Sequence, residues 1–366
     1  MEKSQKPVHG GNVYETAAAL GCSPDEVLDF SASINPLGPP PGLREFLDGL
    51  YHRLQHYPDI ANSALLESIA ALHGLPQERI VPGNGSTELI YWLPKALGIT
   101  RALVALPTFG EYCRAFEIQG IRLEKLVASP EAQFQPTVEE IDAAFRKFKP
   151  EAVLLTQPGS PAGAVLGPEL KEWIAGSAGS GTIFLVDEVF IDFCEEESLK
   201  GLLDSMPNLV IIRSATKFYA LPGLRLGYLL TSETIASRVR SILPPWSVNT
   251  LAQAAGTYCF RQNGFREKTL DVVGAAREKL AAALREMGGF FVFSGRANYL
   301  LCRIRNGLPS AESLRRHVLA SHSILVRDCG SFEGMTDRYF RVAVRLPEEN
   351  SRLIRAVRDW VSLHSP

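Results

Sequence analysis

Several features of common protein classes are missing from this 366-residue chain. No window approaches the roughly 18 consecutive apolar residues of a membrane span, and the opening stretch MEKSQKPVHGGN lacks the apolar run of a signal peptide. With a net charge of −2 and no long basic run, the composition gives no reason to expect nucleic acid or a membrane surface as a partner. We therefore expect a cytoplasmic globular protein of about two domains.

Metal and nucleotide motifs are missing as well. The six cysteines include no C-x-x-C pair and form no His/Cys cluster with zinc spacing, so we expect reduced cysteines and no metal site. No G-x-x-x-x-G-K-[ST] loop occurs, which argues against an NTPase. The stretch VPGNGSTELIYWL at 81–93 nearly matches G-x-G-x-x-G, but Glu88 replaces the third glycine, so a dinucleotide site is disfavoured.

Short apolar runs, largely uninterrupted rather than alternating, are present in the first two thirds of the chain. Such runs are typical of strands covered on both faces. Helical patterns lie between some of them: Thr137 and Glu140 form a capping box, and the segment 168–176 begins with proline and ends with glycine. Strands alternating with helices predict a largely parallel α/β sheet. The predicted strands are 101–106, 151–156, 182–188, 208–214 and 225–230.

The pattern changes near residue 246. Two long helical patterns follow, over 247–265 and 270–289, and then strand-like stretches and a final helix near 348–363. These elements predict a smaller α+β domain. The first thirty-odd residues, rich in glycine and proline, are expected to lie over the outside as an arm.

Polar residues gather just after the predicted strands. Thr108 and Phe109 follow the first strand, residues 157–163 follow the second, Asp187 ends the third and Lys217 follows the fourth. In open α/β sheets, ligands bind at the carboxyl ends of the strands. The four loops are therefore expected to face one crevice.

Each of these residues also has an ordinary structural interpretation. Lys217 is either a surface lysine or a desolvated amine that forms a Schiff base with a carbonyl. Asp187 is either a capped structural residue or the partner of a protonated pyridine nitrogen. The loop at 81–93 is either a plain helix cap or a phosphate cradle. Phe109 is either a core residue or a ring that stacks on a flat cofactor.

The combination is more informative than its parts. A lysine nucleophile, an acid for a ring nitrogen, a phosphate loop and a stacking aromatic are expected in one crevice. Arg225, eight residues after Lys217, is placed to meet the same phosphate with two hydrogen bonds. Together these features predict a pyridoxal phosphate site.

The segment SATKFYALPGLRLGY resembles the cofactor-lysine signature of fold-type I pyridoxal phosphate enzymes, the aspartate aminotransferase superfamily. The resemblance covers nearly the whole chain. The most similar branches are the histidinol-phosphate aminotransferases and the threonine-phosphate decarboxylases of cobalamin biosynthesis. The stretches at 9–40, 56–59, 187–193, 244–255 and 327–345 resemble the decarboxylases more. The resemblance implies an N-terminal arm and part of the small domain at 1–35, a large cofactor-binding domain at 36–245 and a small C-terminal domain at 246–366.

The resemblance also implies a role for particular residues. Lys217 would hold pyridoxal 5'-phosphate covalently and move protons, Asp187 would pair with its ring nitrogen, and Phe109 would stack on its ring. Tyr57 would reach the phosphate bound by a neighbouring subunit, which implies a homodimer with shared sites. The expected cofactor-phosphate ligands are Gly85, Ser86, Thr87, Ser214, Thr216 and Arg225. The expected ligands of a small phosphorylated amino acid are Arg341 and Asn35 for the carboxylate, and His9, Arg327 and Arg345 for the phosphate.

Two positions depart from the superfamily pattern. Ser160, in QPGSPAG, stands where an asparagine is usual, and Phe190 stands where the aminotransferases carry tyrosine. Both changes remove hydrogen bonds to the ring oxygen of the cofactor. Phe190 is compatible with the decarboxylase branch, whereas neither branch explains Ser160. Whether Arg303, Arg305 or Arg338 joins the phosphate site stays open.

The main hypothesis is decarboxylation of L-threonine O-3-phosphate to (R)-1-amino-2-propanol O-2-phosphate. One alternative is a histidinol-phosphate or related aminotransferase. Another is a cofactor-binding protein that has lost turnover, for which Ser160 is the only support.

Overall fold

A computed structural model gives the structure of the protein, and it describes residues 9–364. The first eight residues of the expected arm lie outside the described residues. The helices are α1 Val13–Leu20, α2 Leu43–Asp48, α3 Ser63–His73, α4 Gly85–Leu97, α5 Glu111–Glu117, α6 Val138–Phe148, α7 Pro168–Gly176, α8 Ala215–Phe218, α9 Glu233–Arg240, α10 Thr250–Cys259, α11 Asn263–Glu286, α12 Ala311–His322 and α13 Pro347–His364. The strands are β1 Leu28–Asp29, β2 Ile80–Asn84, β3 Arg101–Leu106, β4 Arg122–Val127, β5 Ala152–Thr156, β6 Ile183–Asp187, β7 Leu209–Ser214, β8 Leu226–Thr231, β9 Phe290–Val292, β10 Tyr299–Ile304, β11 Ile324–Leu325, β12 Arg327–Asp328 and β13 Tyr339–Ala343.

The largest sheet within residues 9–364 has seven strands in the order β2-β8-β7-β6-β5-β3-β4. The neighbours from β7 to β4 are parallel, and β8 runs antiparallel to both β2 and β7. The expectation of a mostly parallel α/β sheet is confirmed. The five predicted strands correspond to β3, β5, β6, β7 and β8, each within one residue at either end.

This sheet is apolar on both faces because it lies between two layers of helices. Along β3, Leu103 packs into one core cluster with α3, α6 and α7, and Val104 packs into another with α4, α5 and α9. Such double coverage explains why the strands are continuous apolar runs. The predicted capping box of α6 is present: the Thr137 hydroxyl accepts from the Glu140 amide, and the Glu140 side chain accepts from the Thr137 amide.

The C-terminal part of the described chain carries a second sheet of four antiparallel strands in the order β12-β13-β10-β9. Helices α11, α12 and α13 pack against it around Trp360, which is fully buried. The predicted α+β character after residue 246 agrees with these elements. The predicted domain boundaries stay predictions.

Residues 28–35 are buried rather than laid over the outside as an arm. Strand β1 pairs with β11, and Phe30 is fully buried while its carbonyl accepts from the Ala343 amide. The reason is the apolar pair Leu28 and Phe30, which completes the core beside the second sheet. This segment thereby joins elements that are three hundred residues away in the chain.

Candidate active site

A cavity of about 410 Å³ lies at the carboxyl ends of the parallel strands. Its walls include Thr108 after β3, Ser160 after β5, Asp187 at the end of β6, and Lys217 in the short helix after β7. The structure therefore brings together the four loops that the sequence pattern pointed to. Residues from the start of the described chain, among them His9 and Ser33, complete the wall.

Lys217 lies in α8, whose N-terminus is capped by Ser214. Its side chain is largely enclosed in the cavity, and Nζ lies 5.8 Å from the ring centroid of Phe190. Burial lowers the pKa of Lys217 from 10.5 to about 8, and the nearby cations Arg341 and Arg225 lower it further against the opposing effect of Asp187. An amine with such a pKa is available as a nucleophile and as a proton carrier near neutral pH.

Asp187 ends β6 and points into the cavity, while the next residue points the other way. The Asp187 carboxylate is buried and accepts a hydrogen bond of 2.9 Å from the Val189 amide. Burial raises the pKa of Asp187 to about 6, although the Val189 amide and the Tyr112 hydroxyl oppose that shift. Glu188, on the opposite face, forms a fully buried ion pair of 3.0 Å with Arg213. A buried carboxylate of this kind is suited to a cationic partner such as a protonated ring nitrogen.

The N-terminus of α4 forms an anion cradle with the start of β8. Gly85 has a φ of +73°, and a Cβ there would lie 2.6 Å from Nη2 of Arg225. A Cβ on Gly227 would lie 2.2 Å from the amide nitrogen of Ser86, so the start of α4 can approach β8 this closely only because residue 227 is glycine. The free amides and positive dipole of a helix N-terminus, together with a guanidinium, favour a phosphate.

Hydroxyl groups extend this cradle. Ser214 and Thr216 hydroxyls lie 2.8 Å apart, and both residues line the cavity together with Ser86 and Thr87. Five of the six expected ligands of the cofactor phosphate therefore line the cavity, whereas the Gly85 amide donates to the Arg225 carbonyl at 2.9 Å and is not free for a phosphate.

Phe109 and His9 lie at the side of the cavity. Their ring centroids are 5.3 Å apart, and Phe109 also meets Tyr112 edge to face. Nε2 of His9 lies 2.7 Å from a carboxylate oxygen of Glu111, and the other oxygen of Glu111 accepts from the Tyr91 hydroxyl. Phe109 is therefore in contact with His9 and Tyr112 and also lines the cavity.

Arg341 is buried and held from three sides. It donates to the Ser160 hydroxyl at 2.9 Å and to the Ser31 carbonyl at 3.1 Å, and its guanidinium lies 4.9 Å from the ring centroid of Tyr299. Ser160 was expected to be too short for the ring hydroxyl of a cofactor. In this structure it instead fixes the arginine expected to bind a carboxylate.

Arg327 is the second buried arginine of the cavity wall. It donates to the Ser331 hydroxyl at 2.8 Å, and its guanidinium lies 5.0 Å from the ring centroid of Phe332. Phe190, which meets Tyr299 edge to face, also lines the cavity and adds no polar group to its wall. The wall therefore offers two cations, Arg341 and Arg327, to a ligand with two anionic groups.

Besides Gly85, three expected site residues do not line this cavity. Asn35 uses its side chain to donate to the Phe218 carbonyl and to Thr269, and its amide donates to the Lys217 carbonyl, so it braces helix α8. Arg345 donates to the Asp29 carbonyl and to Glu349. Tyr57 is 80% exposed and stacks on Trp246 at the surface. For Asn35 and Arg345, the structure gives structural contacts in place of the expected contacts with substrate.

The three arginines left open also lie away from the cavity walls described here. Arg338 donates to the carbonyls of Ile304, Leu308 and Pro309, which gives it a structural role. Arg303 lies over the ring of Phe291, and Arg305 is not part of the wall.

Sequence reasoning missed several wall residues, including Ser31, Ser33, Arg114, Glu117 and Glu333. Nothing in their local sequence marks them, because segments that are distant in the chain bring them to the cavity. The hydroxyls of Ser33 and Thr108 are buried without a hydrogen-bond partner in the described structure. Unpaired buried hydroxyls in a cavity wall suit a polar ligand.

The donor set fits pyridoxal phosphate. The cradle of amides, hydroxyls and Arg225 suits the phosphate, Asp187 suits the ring nitrogen, and the Lys217 amine suits the aldehyde. At the cradle, a Cβ on Gly85 would clash with Arg225 and a Cβ on Gly227 would clash with the Ser86 amide. No helix within the described residues is long and apolar enough to cross a membrane.

Comparisons with known proteins agree with this picture. A family model described as aminotransferase class I and II matches residues 25–357. The chain is 37% identical to threonine-phosphate decarboxylase of Salmonella typhimurium, with 98% of each chain covered. It is 35% identical over 96% of its length to the adenosylcobalamin biosynthesis bifunctional protein CobDQ of Leptospira interrogans, and it spans 40% of that longer protein. The crystal structure of histidinol-phosphate aminotransferase from Clostridium acetobutylicum aligns with a TM-score of 0.86 at 28% identity, covering 92% of this chain and 100% of that one.

Proposed function

Since this chain belongs to the class I and II aminotransferase family, we propose that it decarboxylates L-threonine O-3-phosphate to (R)-1-amino-2-propanol O-2-phosphate and CO₂, a step of cobalamin biosynthesis. It is a pyridoxal phosphate-dependent enzyme. The observation that carries the proposal is the match, over nearly the full length of both chains, to a threonine-phosphate decarboxylase. The two buried arginines of the cavity suit a substrate that bears both a carboxylate and a phosphate.

The substrate is held at its two anionic ends. Arg341 binds the carboxylate, and Arg327 with His9 binds the phosphate, which carries a charge of about −1.5 to −2 at neutral pH. Arg341 is held by Ser160, Ser31 and Tyr299, so its position is set before the substrate arrives. Fixing both ends sets the torsion about Cα, and that torsion decides which bond at Cα can break.

The remaining residues of the cavity hold the cofactor and transfer protons. When bound, pyridoxal phosphate accepts the electron pair left at Cα as a bond there breaks. Asp187 would supply a negative charge to the ring nitrogen, and the cradle at α4 would hold the phosphate. Lys217, with its pKa lowered to about 8, delivers a proton to Cα after CO₂ leaves. Phe190 lies beside Lys217 and has an apolar ring, so the lysine meets no hydroxyl group from this residue, as it would from a tyrosine.

We propose further that the enzyme is a homodimer with shared active sites. Tyr57 and Trp246 stack on each other with centroids 4.7 Å apart, yet both are exposed, and other exposed apolar side chains lie close in sequence at Tyr51, Leu54 and Ile60. Exposed apolar side chains grouped in this way favour a protein interface. In the dimer, Tyr57 would reach the cofactor phosphate bound by the partner subunit.

The second candidate is an aminotransferase that acts on histidinol phosphate. The structural match to such an enzyme supports it, because the match covers 92% of this chain and 100% of that one with a TM-score of 0.86. An aminotransferase breaks the Cα–H bond and returns an amino group to 2-oxoglutarate, whereas the proposed enzyme breaks the bond to the carboxylate.

The test uses purified enzyme loaded with its cofactor and two parallel assays. With L-threonine O-3-phosphate, we expect stoichiometric release of CO₂ and of the amino alcohol phosphate, and little turnover of unphosphorylated L-threonine. Transfer of an amino group from histidinol phosphate to 2-oxoglutarate, with no CO₂ from phosphothreonine, would reject the proposal.

A further inference from the structure

Two carboxylates lie at the rim of a cavity that has to admit an anion. Glu117, at the end of α5, and Glu333, in the loop after β12, both line the cavity. Their side chains are 39% and 54% exposed, so they face solvent at the entrance rather than the floor. Unopposed, two negative charges there would repel a substrate that carries a phosphate and a carboxylate.

Lys125 of strand β4 lies between the two carboxylates. Its Nζ is 3.1 Å from an oxygen of Glu117 and 2.8 Å from an oxygen of Glu333. Burial alone would lower the pKa of Lys125. The hydrogen bonds that Lys125 donates to Glu333 and Glu117 outweigh that effect and raise its pKa. The ammonium therefore stays charged across the physiological range.

The same loop supports Arg327. Ser331 accepts from Arg327, Phe332 lies under its guanidinium, and Glu333 is the next residue. Gly334, with a φ of +88°, lies against Val127 of β4 so closely that a Cβ would be 2.8 Å from Cγ1 of Val127. Lys125 and Val127 therefore meet the loop where it crosses the edge of the large sheet, beside the arginine assigned to the substrate phosphate.

We propose that Lys125 is a specificity-determining residue that offsets the two rim carboxylates and so admits a phosphorylated substrate. It acts through Glu117 and Glu333 and does not itself contact the substrate. This inference rests on the proposed function, because it takes the phosphorylated amino acid as the ligand. Together the three side chains carry a charge of about −1, and loss of the lysine would leave about −2 at the entrance.

The alternative role for Lys125 is mechanical: the lysine would serve only to tie the loop to β4. The two roles predict different effects of a second substitution on the Lys125→Met variant. Replacing a carboxylate by its amide in addition to Lys125→Met restores the original charge but not the ion pair. An electrostatic role predicts rescue, whereas a mechanical role predicts none.

The experiment compares holoenzyme variants with L-threonine O-3-phosphate at low and high salt. Lys125→Met is expected to lower kcat/KM about fivefold at low salt, mainly through KM, and added salt is expected to shrink that loss because it screens exposed charges. Lys125→Met/Glu333→Gln and Lys125→Met/Glu117→Gln are expected to recover most of the wild-type value. The inhibition constant of inorganic phosphate should follow the same order.

Arg146→Met is the matched control, because it breaks an exposed ion pair of 2.7 Å with Asp142 on α6, away from the cavity walls. It should leave all these constants unchanged. An unchanged KM in Lys125→Met, or double variants as impaired as the single variant, would overturn the inference while leaving decarboxylation intact. A wild-type enzyme that neither binds nor turns over phosphothreonine would instead overturn the proposed function, and the inference with it.

Discussion

Lys217 carries a cost in stability that its chemistry requires. A lysine that is largely enclosed near two arginines loses hydration and meets like charge, so its pKa falls to about 8. Between pH 8 and 10.5, the unfolded chain binds the proton that the folded chain has released. The contribution of Lys217 to the stability of the cofactor-free protein should therefore rise with pH across that window.

Replacing Lys217 should change stability and activity in opposite directions. We expect Lys217→Met to abolish decarboxylation and, after removal of the cofactor, to be more stable than the wild type at pH 7 by roughly 2 kcal/mol. This advantage of the variant over the wild type should shrink as the pH rises from 8 to 10.5. Chemical denaturation of both cofactor-free proteins over this pH range measures the effect. Equal stability at pH 7 would show that the folded protein does not penalise the ammonium.

Site residues were predictable from sequence where one local segment supplies the signal. Lys217 and Asp187 follow apolar runs, so their position at the strand ends was readable. Asn35 and Arg345 were not, because their side chains are used by partners such as Thr269 and Asp29, which are more than two hundred residues away in the chain. Ser160 was recognised as unusual, but its bond to Arg341 depends on strand β13 and has no local signature.

At the scale of elements, the cradle depends on how α4 begins. Gly85 starts the helix with a left-handed backbone and lies against Arg225, and its amide donates to the Arg225 carbonyl. The glycine thus joins the helix N-terminus to β8. The phosphate site is therefore built by backbone geometry as much as by side chains.

Gly85→Ala tests this dependence. The new methyl group would displace the Arg225 guanidinium and strain the backbone, so we expect the Kd for pyridoxal phosphate to rise about tenfold, which corresponds to about 1.4 kcal/mol. Gly98→Ala is the matched control at the other end of α4, since its φ of +66° is similar and its nearest neighbour is a flexible arginine tip at 4.0 Å. Fluorescence titration of the cofactor-free proteins gives both constants. Equal losses in the two variants would point to helix strain alone.

Element boundaries were predictable where apolar runs are continuous and less so elsewhere. Strand β2, Ile80–Asn84, contains proline and glycine and was read as part of a loop. Strand β4 was not predicted, because it lies at the edge of the sheet and half of its residues are charged. Edge strands are covered on fewer sides, so their sequences carry a weaker apolar signal.

At the scale of the whole molecule, a shared site makes a distinct prediction. If Tyr57 serves the site that contains the partner's lysine, two inactive variants should complement each other. Lys217→Ala and Tyr57→Ala, refolded or co-expressed together, should yield hybrid dimers with one intact site. The hybrids should have about half of the wild-type activity when purified and give about a quarter of it in a random mixture. Activity assays on purified hybrids measure this. No recovery in hybrids that are shown to be dimers would contradict a shared site.

The overall architecture was predictable because two independent signals agreed. Alternating apolar strands and helices gave the α/β class, and the segment around Lys217 gave the superfamily. The reaction was not fixed by either signal, because in the proposed mechanism it depends on the torsion that Arg341 and Arg327 would impose on the substrate. That torsion follows from contacts among five or more distant segments.

The most direct measurement is the fate of the Cα hydrogen during turnover of L-threonine O-3-phosphate in D₂O. If the site breaks the bond to the carboxylate, NMR should show CO₂ release and an amino alcohol phosphate with one deuterium and one retained hydrogen at C1. The recovered substrate should keep its Cα hydrogen. Deuterium at Cα of the recovered phosphothreonine, without CO₂ release, would show that the site breaks the Cα–H bond and would contradict this account.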